Sequence, residues 1–502
     1  MRLPTSGWRA DLAAIALGLV SALALPPLYV LPALLLAIPG LLFLIAHTPG
    51  PLAAARRGFC FGLGLHIAGL YWITEAILLE SARYWWLVPI AVPALSAVMA
   101  LFIAAPAALA RRAAPGWRRL VMLAGTWVLF DLARQFVGTG FPWNPWGSIW
   151  AIPGLAGDIM IQPAAWVGTP GLTLATMVLA GLPTLGWRWS LAGLAALGVW
   201  AAAGTARLNT QELPPPGLVV VLAQGNVAQG QKWDRSIAEA TFERYLTLTR
   251  TGVAQAGTRP AVVVWPETAS IFFLQSDPAA RDAIARAIAP ARGAIVGSLT
   301  FTNGTPSREP GNLPLNSMVA LRPDGAIAGI YDKWHLVPFG EYAPTWVPLS
   351  IQIVPGQFAF GRGPATLRIP GLPPFGGLIC YEAIFPAQVV DEADRPDWLV
   401  NITNDAWFGN SSGPRQHLAA VRLRAVEEGL PVMRAANTGI SAGFDAHGRE
   451  LGRLSMNQPG VLTLELPGKL PPTSFSRWGL VVPGLLACAL VTAALIRRLQ
   501  PL

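Results

Sequence analysis

Charged residues are scarce in this sequence of 502 residues. Only 13% of the residues are Asp, Glu, Lys or Arg, whereas 53% are hydrophobic, and a soluble domain carries about 25% charged residues. The apolar excess fills residues 12–204 and 478–496, while residues 205–477 have an ordinary globular composition. The shortage of charge argues against a chain that is soluble throughout. It predicts a membrane protein with one large soluble insert.

Cysteine is also rare. The three cysteines, Cys60, Cys380 and Cys488, make no disulfide framework. Cys60 and Cys488 lie within apolar runs, where a cysteine usually serves as a small hydrophobic residue. Cys380 lies instead in the polar region, at the end of the short apolar run GGLIC. This thiol therefore calls for a chemical explanation.

Basic clusters with interleaved aromatic residues are lacking in the polar region, although the formal net charge is +9. That charge has two interpretations, a nucleic-acid-binding surface or arginines that flank membrane spans, and the missing clusters favour the second. Metal-ligand spacing is lacking too, because His335, His417 and His447 are scattered along the sequence. We therefore predict no nucleic-acid partner, no metal and no cofactor.

Apolar runs that can cross a membrane recur along the chain. A spanning helix needs about 20 apolar residues, and we predict eight spans, several of them shorter. They cover residues 10–27, 31–47, 58–79, 86–110, 117–136, 164–186, 189–204 and 478–496. Eight spans bring the flanking arginines to one side of the membrane, whereas the intervening loops are poor in basic residues. These arginines are Arg2, Arg9, Arg56, Arg57, Arg111, Arg112, Arg118, Arg119, Arg188, Arg497 and Arg498.

This arginine distribution predicts the orientation of the chain by the positive-inside rule. Both termini are expected in the cytoplasm, and the polar region is expected on the outer face, which is the periplasm in a bacterium. Residues 1–204 then form a transmembrane domain with seven spans, and residues 205–477 form the outer domain. Residues 478–502 form the eighth span and a cytoplasmic tail.

One predicted outer loop is rich in tryptophan, proline and glycine. It reads GTGFPWNPWGSIW and covers residues 138–150. Such a loop suits an aromatic belt at the membrane interface, and it equally suits a re-entrant floor beneath a lipid site. The sequence leaves both interpretations open.

The polar region alternates between strand-like and helix-like patterns. Short buried-strand runs cover residues 217–224, 261–267, 293–301, 397–405 and 460–466, the run FGGLICYE, and a hairpin over 316–335. Helical spacing covers residues 235–254, 277–291 and 415–429. This alternation predicts an α/β domain with some antiparallel hairpins.

Three polar residues stand at the ends of predicted strands. Glu267 ends VVVWPE, Lys333 ends the hairpin, and Cys380 ends GGLIC, and sites form at the carboxyl ends of strands in α/β sheets. A thiol is a weak nucleophile until it is deprotonated. A glutamate that acts as general base and a lysine that stabilises a thiolate or an oxyanion would complete a site for covalent catalysis. Each residue alone fits a surface charge or a core thiol, but the combination favours such a site.

The blocks around these residues resemble a known superfamily. WPETA, YDKWHLVPFGEY and LICYE look like the three blocks of the nitrilase superfamily, and this resemblance implies a Glu–Lys–Cys triad in an αββα sandwich. A nitrilase-like domain between membrane spans further resembles the apolipoprotein N-acyltransferase family, over essentially the whole chain. The implied fold is an αββα nitrilase-like sandwich inserted into an eight-helix transmembrane domain. Supporting blocks are QGNVAQGQKW (224–233), GFPWNPWG (140–147) and NITNDAWFG (401–409).

The resemblance implies roles for seven residues. It places the nucleophile at Cys380, the base at Glu267 and the catalytic lysine at Lys333. Four supporting residues, each with a simpler explanation in packing or a salt bridge, are Glu341, Tyr381, Glu382 and Trp233. Glu341 is expected to position the lysine or assist the base, and the Tyr381 backbone N–H to donate to an oxyanion.

The resemblance also implies a reaction. A phospholipid, with phosphatidylethanolamine as the expected donor, acylates Cys380, and the thioester passes the acyl chain to the α-amino group of a diacylglyceryl-cysteine. That cysteine is the N-terminal residue of an apolipoprotein, and the step is the last in lipoprotein maturation at the bacterial inner membrane. Two rivals are a membrane-tethered amidase that uses water, and a transporter or lipid-binding protein with a sensor domain. The second rival predicts functional ionisable residues within the spans and leaves the three blocks unexplained.

Overall fold

The computed structural model describes residues 4–79, 81–229, 236–307, 309, 311–344 and 357–496. Contacts between Cα atoms divide the chain into two compact units. The first unit comprises the residues up to Thr210 together with those from Ser474 onwards, and the second comprises Gln211–Thr473.

The first unit is helical in the part that the structure describes. Its helices before the second unit are α1 (Gly7–Ser21), α2 (Leu34–Ala46), α3 (Pro51–Gly69), α4 (Ile73–Leu78), α5 (Ser81–Tyr84), α6 (Val88–Arg112), α7 (Trp117–Ala133), α8 (Leu155–Met160), α9 (Ala164–Gly181) and α10 (Trp187–Leu208). Short 3-10 turns join several of them.

Apolar helices of spanning length lie in this unit. Among the described residues, four helical segments are long and apolar enough to cross a membrane, and they are Gly7–Ala24, Ser81–Arg112, Ala164–Leu185 and Trp187–Leu208. Leu31–Ala46 and Val481–Leu495 are shorter apolar helices. These segments fit a membrane domain, and the count of eight spans stays a prediction.

Small residues bring the backbones of α1 and α3 together. A Cβ atom at Gly18 would lie 2.0 Å from the Phe61 carbonyl oxygen, and one at Gly64 would lie 2.1 Å from the Ile15 carbonyl oxygen. Close approach of this kind is typical of helices that pack within a lipid environment, where association depends on van der Waals contact. Neither position has room for a side chain, so both require glycine.

The tryptophan-rich loop packs into the first unit. Trp143 and Trp146 are almost fully buried, and the Trp143 ring lies 4.7 Å from that of Trp72. Trp150 donates a hydrogen bond from Nε1 to the hydroxyl of Thr176 at 2.7 Å. The buried rings show that much of this loop belongs to the core of the helical unit.

The second unit contains two six-stranded sheets. The order in the first sheet is β12–β1–β2–β3–β4–β5, and its strands are β1 (Val219–Gln224), β2 (Ala261–Val264), β3 (Ala294–Phe301), β4 (Pro314–Leu321), β5 (Ile327–Asp332) and β12 (Gly460–Glu465). The order in the second sheet is β11–β10–β9–β8–β7–β6, and its strands are β6 (Thr366–Leu367), β7 (Phe375–Ile379), β8 (Trp398–Thr403), β9 (Val432–Ala436), β10 (Ser441–Phe444) and β11 (Glu450–Leu454).

Parallel pairs form the centre of each sheet. Strand β2 pairs parallel to β1 and β3, and β8 pairs parallel to β7 and β9. Antiparallel strands complete both edges, including the predicted hairpin β4–β5. The carboxyl ends of the central strands therefore lie together at one edge of each sheet.

Side-chain alternation along the strands explains the layers. In β1, Val219 and Val221 face the helices α11 (Ala238–Ala256) and α12 (Pro278–Ile288), whereas Val220 and Leu222 face the second sheet. On the far side of the second sheet, Leu399 packs against α13 (Gly413–Glu428). Successive strand residues point to opposite faces, so apolar runs build both cores. The predicted αββα sandwich is confirmed.

The chain returns to the first unit after the sandwich. There it forms α14 (Ser474–Trp478) and α15 (Val481–Leu495). Phe475 of α14 packs at the kink in α9, where Gly168 has a φ of +64° and a Cβ atom would lie 2.1 Å from the phenyl ring. This contact anchors the returning chain to an earlier helix of the same unit.

Candidate active site

The three predicted catalytic residues follow three strands of the sandwich. Glu267 stands three residues after β2, Lys333 directly follows β5, and Cys380 directly follows β7. All three side chains are buried. The structure brings Glu267 and Lys333 into direct contact, and it places Cys380 close enough for both charges to act on its thiol.

Lys333 forms ion pairs with two carboxylates. Its Nζ lies 3.2 Å from Glu267 Oε1 and 2.9 Å from the carboxylate of Glu341. Burial by itself lowers the pKa of Lys333, but the charges of Glu267 and Glu341 outweigh burial and raise the pKa above its ordinary value. The ammonium group therefore stays charged inside the protein. The supporting residue Glu341 lies where the sequence predicts, beside the lysine.

Neighbouring groups fix both carboxylates. Asn316 of β4 donates from Nδ2 to Glu267 at 2.7 Å and to Glu341 at 2.9 Å. The backbone N–H of Asn404 donates to Glu267 Oε2 at 2.7 Å, and that of Val337 donates to Glu341 Oε2 at 2.8 Å. Sequence reasoning missed Asn316, although a polar residue inside a buried strand was a usable signal.

Cys380 adopts a strained backbone conformation. Its φ is +50°, a left-handed value that costs a residue with a Cβ atom about 1–2 kcal/mol. The residue opens a 3-10 turn, Cys380–Ile384, directly at the end of β7. Strained residues of this kind persist where the surrounding structure holds them and occur often at active sites.

Glu382 ties the nucleophile turn to the lysine turn. Its carboxylate accepts hydrogen bonds from the N–H of Ile379 at 2.6 Å, the N–H of Trp334 at 2.7 Å and the hydroxyl of Tyr331 at 2.8 Å. Burial raises the pKa of Glu382 to about 7, against the opposing effect of these hydrogen bonds. The predicted supporting residue Glu382 thus connects, by hydrogen bonds, the segments that carry Cys380 and Lys333.

The surroundings of Cys380 disfavour ionisation of its thiol. Burial and the negative charge of Glu267 raise the pKa of Cys380 above its ordinary value, although Lys333 acts in the opposite direction. A protonated thiol attacks poorly. Chemistry at this site consequently needs a base that removes the proton as the sulfur attacks, and Glu267 and Asp405 are the carboxylates whose charges act on the thiol.

A buried network lies on the other side of Cys380. His417 of α13 contacts two groups. Its Nε2 lies 2.9 Å from the Cys380 carbonyl oxygen, and its Nδ1 lies 3.1 Å from Asp405 Oδ1. Arg434 of β9 donates to Asp405 Oδ2 at 2.6 Å. Burial opposes ionisation of Asp405, but Arg434, His417 and Thr403 together outweigh burial and lower its pKa to about 2. Burial and Arg434 both lower the pKa of His417. In the sequence, His417 stands out only as one of three scattered histidines.

The remaining supporting residues have different outcomes. Tyr381 is buried, and its ring packs edge-to-face on Phe385 with 5.2 Å between the ring centroids. Burial raises the pKa of Tyr381, so the phenol is neutral. Trp233 lies outside the described residues.

Two groups of metal-ligand residue types occur in the described part of the sandwich. One contains Cys380, Asp405 and His417, and the other contains Glu212, Asp445 and His447. An arginine already faces the acids in each group, because Arg434 pairs with Asp405 and Arg449 pairs with Glu212 and Asp445. These arginines supply the positive charge that a cation would otherwise bring.

Sequence comparison gives matches along the whole chain. Residues 17–182 match the family described as "Apolipoprotein N-acyltransferase N-terminal domain", and residues 220–470 match "Carbon-nitrogen hydrolase". A protein of Rhodopseudomonas palustris named "Apolipoprotein N-acyltransferase" is 35% identical and covers 99% of this chain and 96% of its own length. A Bradyrhizobium diazoefficiens protein of the same name is 36% identical, with 98% and 96% covered.

A solved structure is also similar to part of the chain. It is an amidase from Nesterenkonia sp., with 18% identity and a TM-score of 0.38, and the match covers 51% of this chain and 93% of that one. The identity to the named relatives extends through both units of the chain, and the resemblance stated from the sequence motifs is confirmed. The chain belongs to the apolipoprotein N-acyltransferase family and carries a carbon-nitrogen hydrolase domain.

Proposed function

We propose that this protein moves a fatty acyl chain from a membrane phospholipid to the α-amino group of the N-terminal diacylglyceryl-cysteine of apolipoproteins, through a thioester on Cys380. This reaction is the last step of lipoprotein maturation. The observation that carries the proposal is the buried Lys333, paired with Glu267 and Glu341 beside the Cys380 thiol. Family membership supports the acyl transfer, and this arrangement supports its covalent route.

The first half-reaction acylates the thiol. Glu267 takes the proton of Cys380 as the sulfur attacks the carbonyl carbon of a phospholipid ester. The negative charge that develops on the carbonyl oxygen is stabilised by the Lys333 ammonium and by the backbone N–H of Tyr381. When the carbon–oxygen bond breaks, Glu267 returns the proton to the leaving alkoxide, and a lysophospholipid departs. The carboxylate needs a fixed position for both transfers, and Asn316 supplies one.

The second half-reaction transfers the acyl chain to an amine. The α-amino group of the acceptor attacks the thioester carbon, and Glu267 takes the proton that the nitrogen loses. The carbon–sulfur bond breaks, the thiolate receives this proton, and the N-acylated product leaves. A covalent intermediate divides one difficult transfer into two easier ones. Burial of the thiol supports this route, because a site closed to water favours the amine over hydrolysis.

The supporting residues have roles in this scheme. Glu341 holds the lysine by an ion pair, and Glu382 sets the spacing between the nucleophile turn and the lysine turn. Tyr381 contributes its backbone N–H rather than its phenol. Trp233, in QKW, is expected to be sensitive to substitution.

The proposed setting is the bacterial inner membrane. The sandwich lies on the periplasmic side, the chain crosses the membrane eight times, and both termini are cytoplasmic. Residues 1–204 and 478–496 form the membrane domain. The arginine distribution supports this orientation. We expect phosphatidylethanolamine as the donor, and vesicles of defined head-group composition test that choice.

The experiment is a two-stage assay by intact mass spectrometry. The purified full-length protein is first incubated with phosphatidylethanolamine vesicles and then with a synthetic diacylated lipopeptide that has a free α-amino group. We expect a mass increase of one acyl chain on Cys380, followed by its loss together with N-acylation of the peptide. Cys380→Ser is the matched control, because a hydroxyl replaces the thiol at nearly the same volume, and it should carry no thioester.

Each alternative gives a different result. Release of free fatty acid without N-acylated peptide would favour the amidase-like reaction that uses water. An unmodified Cys380 after prolonged incubation, with N-acylated peptide nevertheless formed, would refute the covalent step. Equal acylation from vesicles of several head groups would refute a preference for phosphatidylethanolamine and leave the transfer itself intact.

A further inference from the structure

A fully buried histidine contacts the backbone of the nucleophile, although the scheme above assigns it no part. Nε2 of His417 lies 2.9 Å from the carbonyl oxygen of Cys380. A carbonyl oxygen only accepts hydrogen bonds, so Nε2 carries a proton and donates it to this bond. The imidazole therefore fixes the direction of the Cys380 carbonyl.

That carbonyl shares a peptide unit with the N–H of Tyr381. The cis peptide bonds among the described residues are Pro26–Pro27 and Ala289–Pro290, so the unit between Cys380 and Tyr381 is trans. The C=O and N–H of a planar trans peptide point in opposite directions. A hydrogen bond that fixes the carbonyl consequently fixes the Tyr381 N–H, which is the backbone donor proposed for the oxyanion.

The imidazole itself is held in one orientation. Its Nδ1, which carries no proton when Nε2 does, accepts a hydrogen bond from Arg434 Nη2 at 3.3 Å, and Asp405 Oδ2 accepts from the same Nη2 at 2.6 Å and so holds the guanidinium in place. Arg434 also bonds to Asn401 at 2.5 Å, and Asn401 donates to the Leu378 carbonyl of β7 at 3.1 Å. The side chains of His417, Asp405 and Arg434 are fully enclosed, so the ring cannot turn away without breaking buried polar contacts.

The nucleophile turn needs such a support. Cys380 has a φ of +50°, and a residue with a side chain stays in this conformation only where its surroundings hold it. Relaxation of φ would rotate the following peptide unit and move the Tyr381 N–H. The hydrogen bond from His417 opposes that rotation.

We propose that His417, held by Asp405 and Arg434, is a positioning residue of the acyl transfer that orients the Cys380–Tyr381 peptide so that the Tyr381 N–H meets the oxyanion. This inference rests on the proposed function, since the oxyanion forms only when Cys380 attacks an acyl ester. His417 acts through the backbone and touches neither substrate nor the reacting sulfur in this role.

Two substitutions at this histidine distinguish the effect of losing the hydrogen-bond donor from the effect of changing the side-chain volume. His417→Gln keeps an amide N–H near the position of Nε2, whereas the shorter side chain of His417→Asn leaves the Cys380 carbonyl without that donor. His447→Asn is the matched control, because His447 is an equally buried histidine of the same unit and contacts Glu212 instead.

Two rates are measured on each full-length variant. One is the acylation of Cys380 by phosphatidylethanolamine vesicles, which passes through an oxyanion. The other is the alkylation of Cys380 by iodoacetamide, followed by peptide mapping, which forms no oxyanion. We expect His417→Asn to slow acylation about 100-fold, the lower end of the effect of losing one oxyanion donor, and to leave alkylation nearly unchanged. His417→Gln should recover most of the acylation rate, and His447→Asn should change neither rate.

The contrary outcomes are distinct. Parallel losses of both rates in His417→Asn would show that His417 only supports the fold, and an undiminished acylation rate would show that the carbonyl needs no such anchor. Failure of the wild-type protein to acylate would contradict the proposed function, whereas normal wild-type acylation with an unaffected variant would contradict this inference alone. If His417→Asn does not fold, Asp405→Asn serves as the second variant, and it should slow acylation more than alkylation.

Discussion

The two units of this chain differ in how much apolar side-chain surface they expose. In the helical unit, large apolar side chains face outward, as with Leu52, Trp187 and Val199, which are 86%, 68% and 70% exposed. In the sandwich, strands such as β1 and β2 are apolar and fully enclosed. An outward apolar surface of this extent suits a lipid environment and not water. The contrast shows that each unit is built for a different solvent.

The interiors of the two units differ in the same way. Helices α1 and α3 approach so closely that backbone atoms meet at Gly18 and Gly64. The interior of the sandwich instead holds paired charges around Cys380, with Lys333 between Glu267 and Glu341, and Arg434 against Asp405. Steric fit between helices stabilises the interior of the helical unit, whereas the pairing of charges stabilises the interior of the sandwich around Cys380.

The largest effect is expected from removing the buried ammonium group. Lys333→Met leaves two buried carboxylates without their cation, and loss of one partner of a buried pair costs about 3–5 kcal/mol. Acylation of Cys380 should fall about 1,000-fold, because an oxyanion donor is lost as well. Thermal unfolding and intact mass spectrometry measure the two losses. Lys469→Met is the control, since Lys469 pairs with Asp397 at the surface; equal losses in both variants would remove the distinction between buried and exposed pairs.

The next effect comes from the amide that bridges the two carboxylates. Asn316→Asp replaces the donor to Glu267 and Glu341 by a third acidic group, so one of the three must take a proton or move apart. We expect acylation to fall about 100-fold, because a general base that is out of position no longer contributes to the rate. Asn303→Asp adds the same group at an exposed site and should have no effect. An active Asn316→Asp variant would show that the base tolerates another charge beside it.

The helical unit should respond to volume instead of charge. Gly18→Ala places a Cβ atom 2.0 Å from the Phe61 carbonyl oxygen, and overpacking of this kind costs about 1–3 kcal/mol. Gly198→Ala in α10 meets no atom within 4 Å and should be neutral or slightly stabilising, because alanine favours a helix. Thermal unfolding in detergent, followed by tryptophan fluorescence, compares the two variants. A similar shift in both would mean that helix propensity and not close packing dominates.

The smallest effect concerns acid stability. Arg434 holds the pKa of Asp405 at about 2, below the ordinary value near 3.9 in an unfolded chain. A lowered folded pKa contributes stability above the unfolded pKa, and the contribution is lost as pH falls from about 4 to 2. The cost of Asp405→Asn should therefore be about 2 kcal/mol smaller at pH 2 than at pH 6. The measurement is the unfolding midpoint at a series of pH values.

Asp394 provides the control for the acid series. Arg368 lowers the pKa of Asp394 too, but this pair is exposed, and solvent screens exposed pairs. Asp394→Asn should leave the unfolding midpoint unchanged throughout the series. If the Asp405→Asn difference stays constant from pH 6 to pH 2, the stabilisation does not arise from ionised Asp405.

Much of the site could be predicted from the sequence, because its main residues have local signatures. Glu267, Lys333 and Cys380 stand at strand ends inside short motifs, and strand ends meet at one edge of a sheet. Glu341 and Glu382 lie within a few residues of Lys333 and Cys380, so the same motifs include them. Their hydrogen-bond partners could not be predicted, because these come from distant segments: Asn404 lies 137 residues from Glu267, and His417 lies 37 residues from Cys380.

The sequence by itself determined the division into an apolar part and a polar insert and, through motifs that resemble a known superfamily, the αββα class of that insert and the candidates for nucleophile, base and lysine. Composition and short motifs are local properties of the chain. Only the tertiary structure decided that Asn316 joins both carboxylates, that Cys380 is strained, and that His417 holds its carbonyl. The physical reason is that the stacking of two sheets and the packing of α13 bring together groups that share no local pattern.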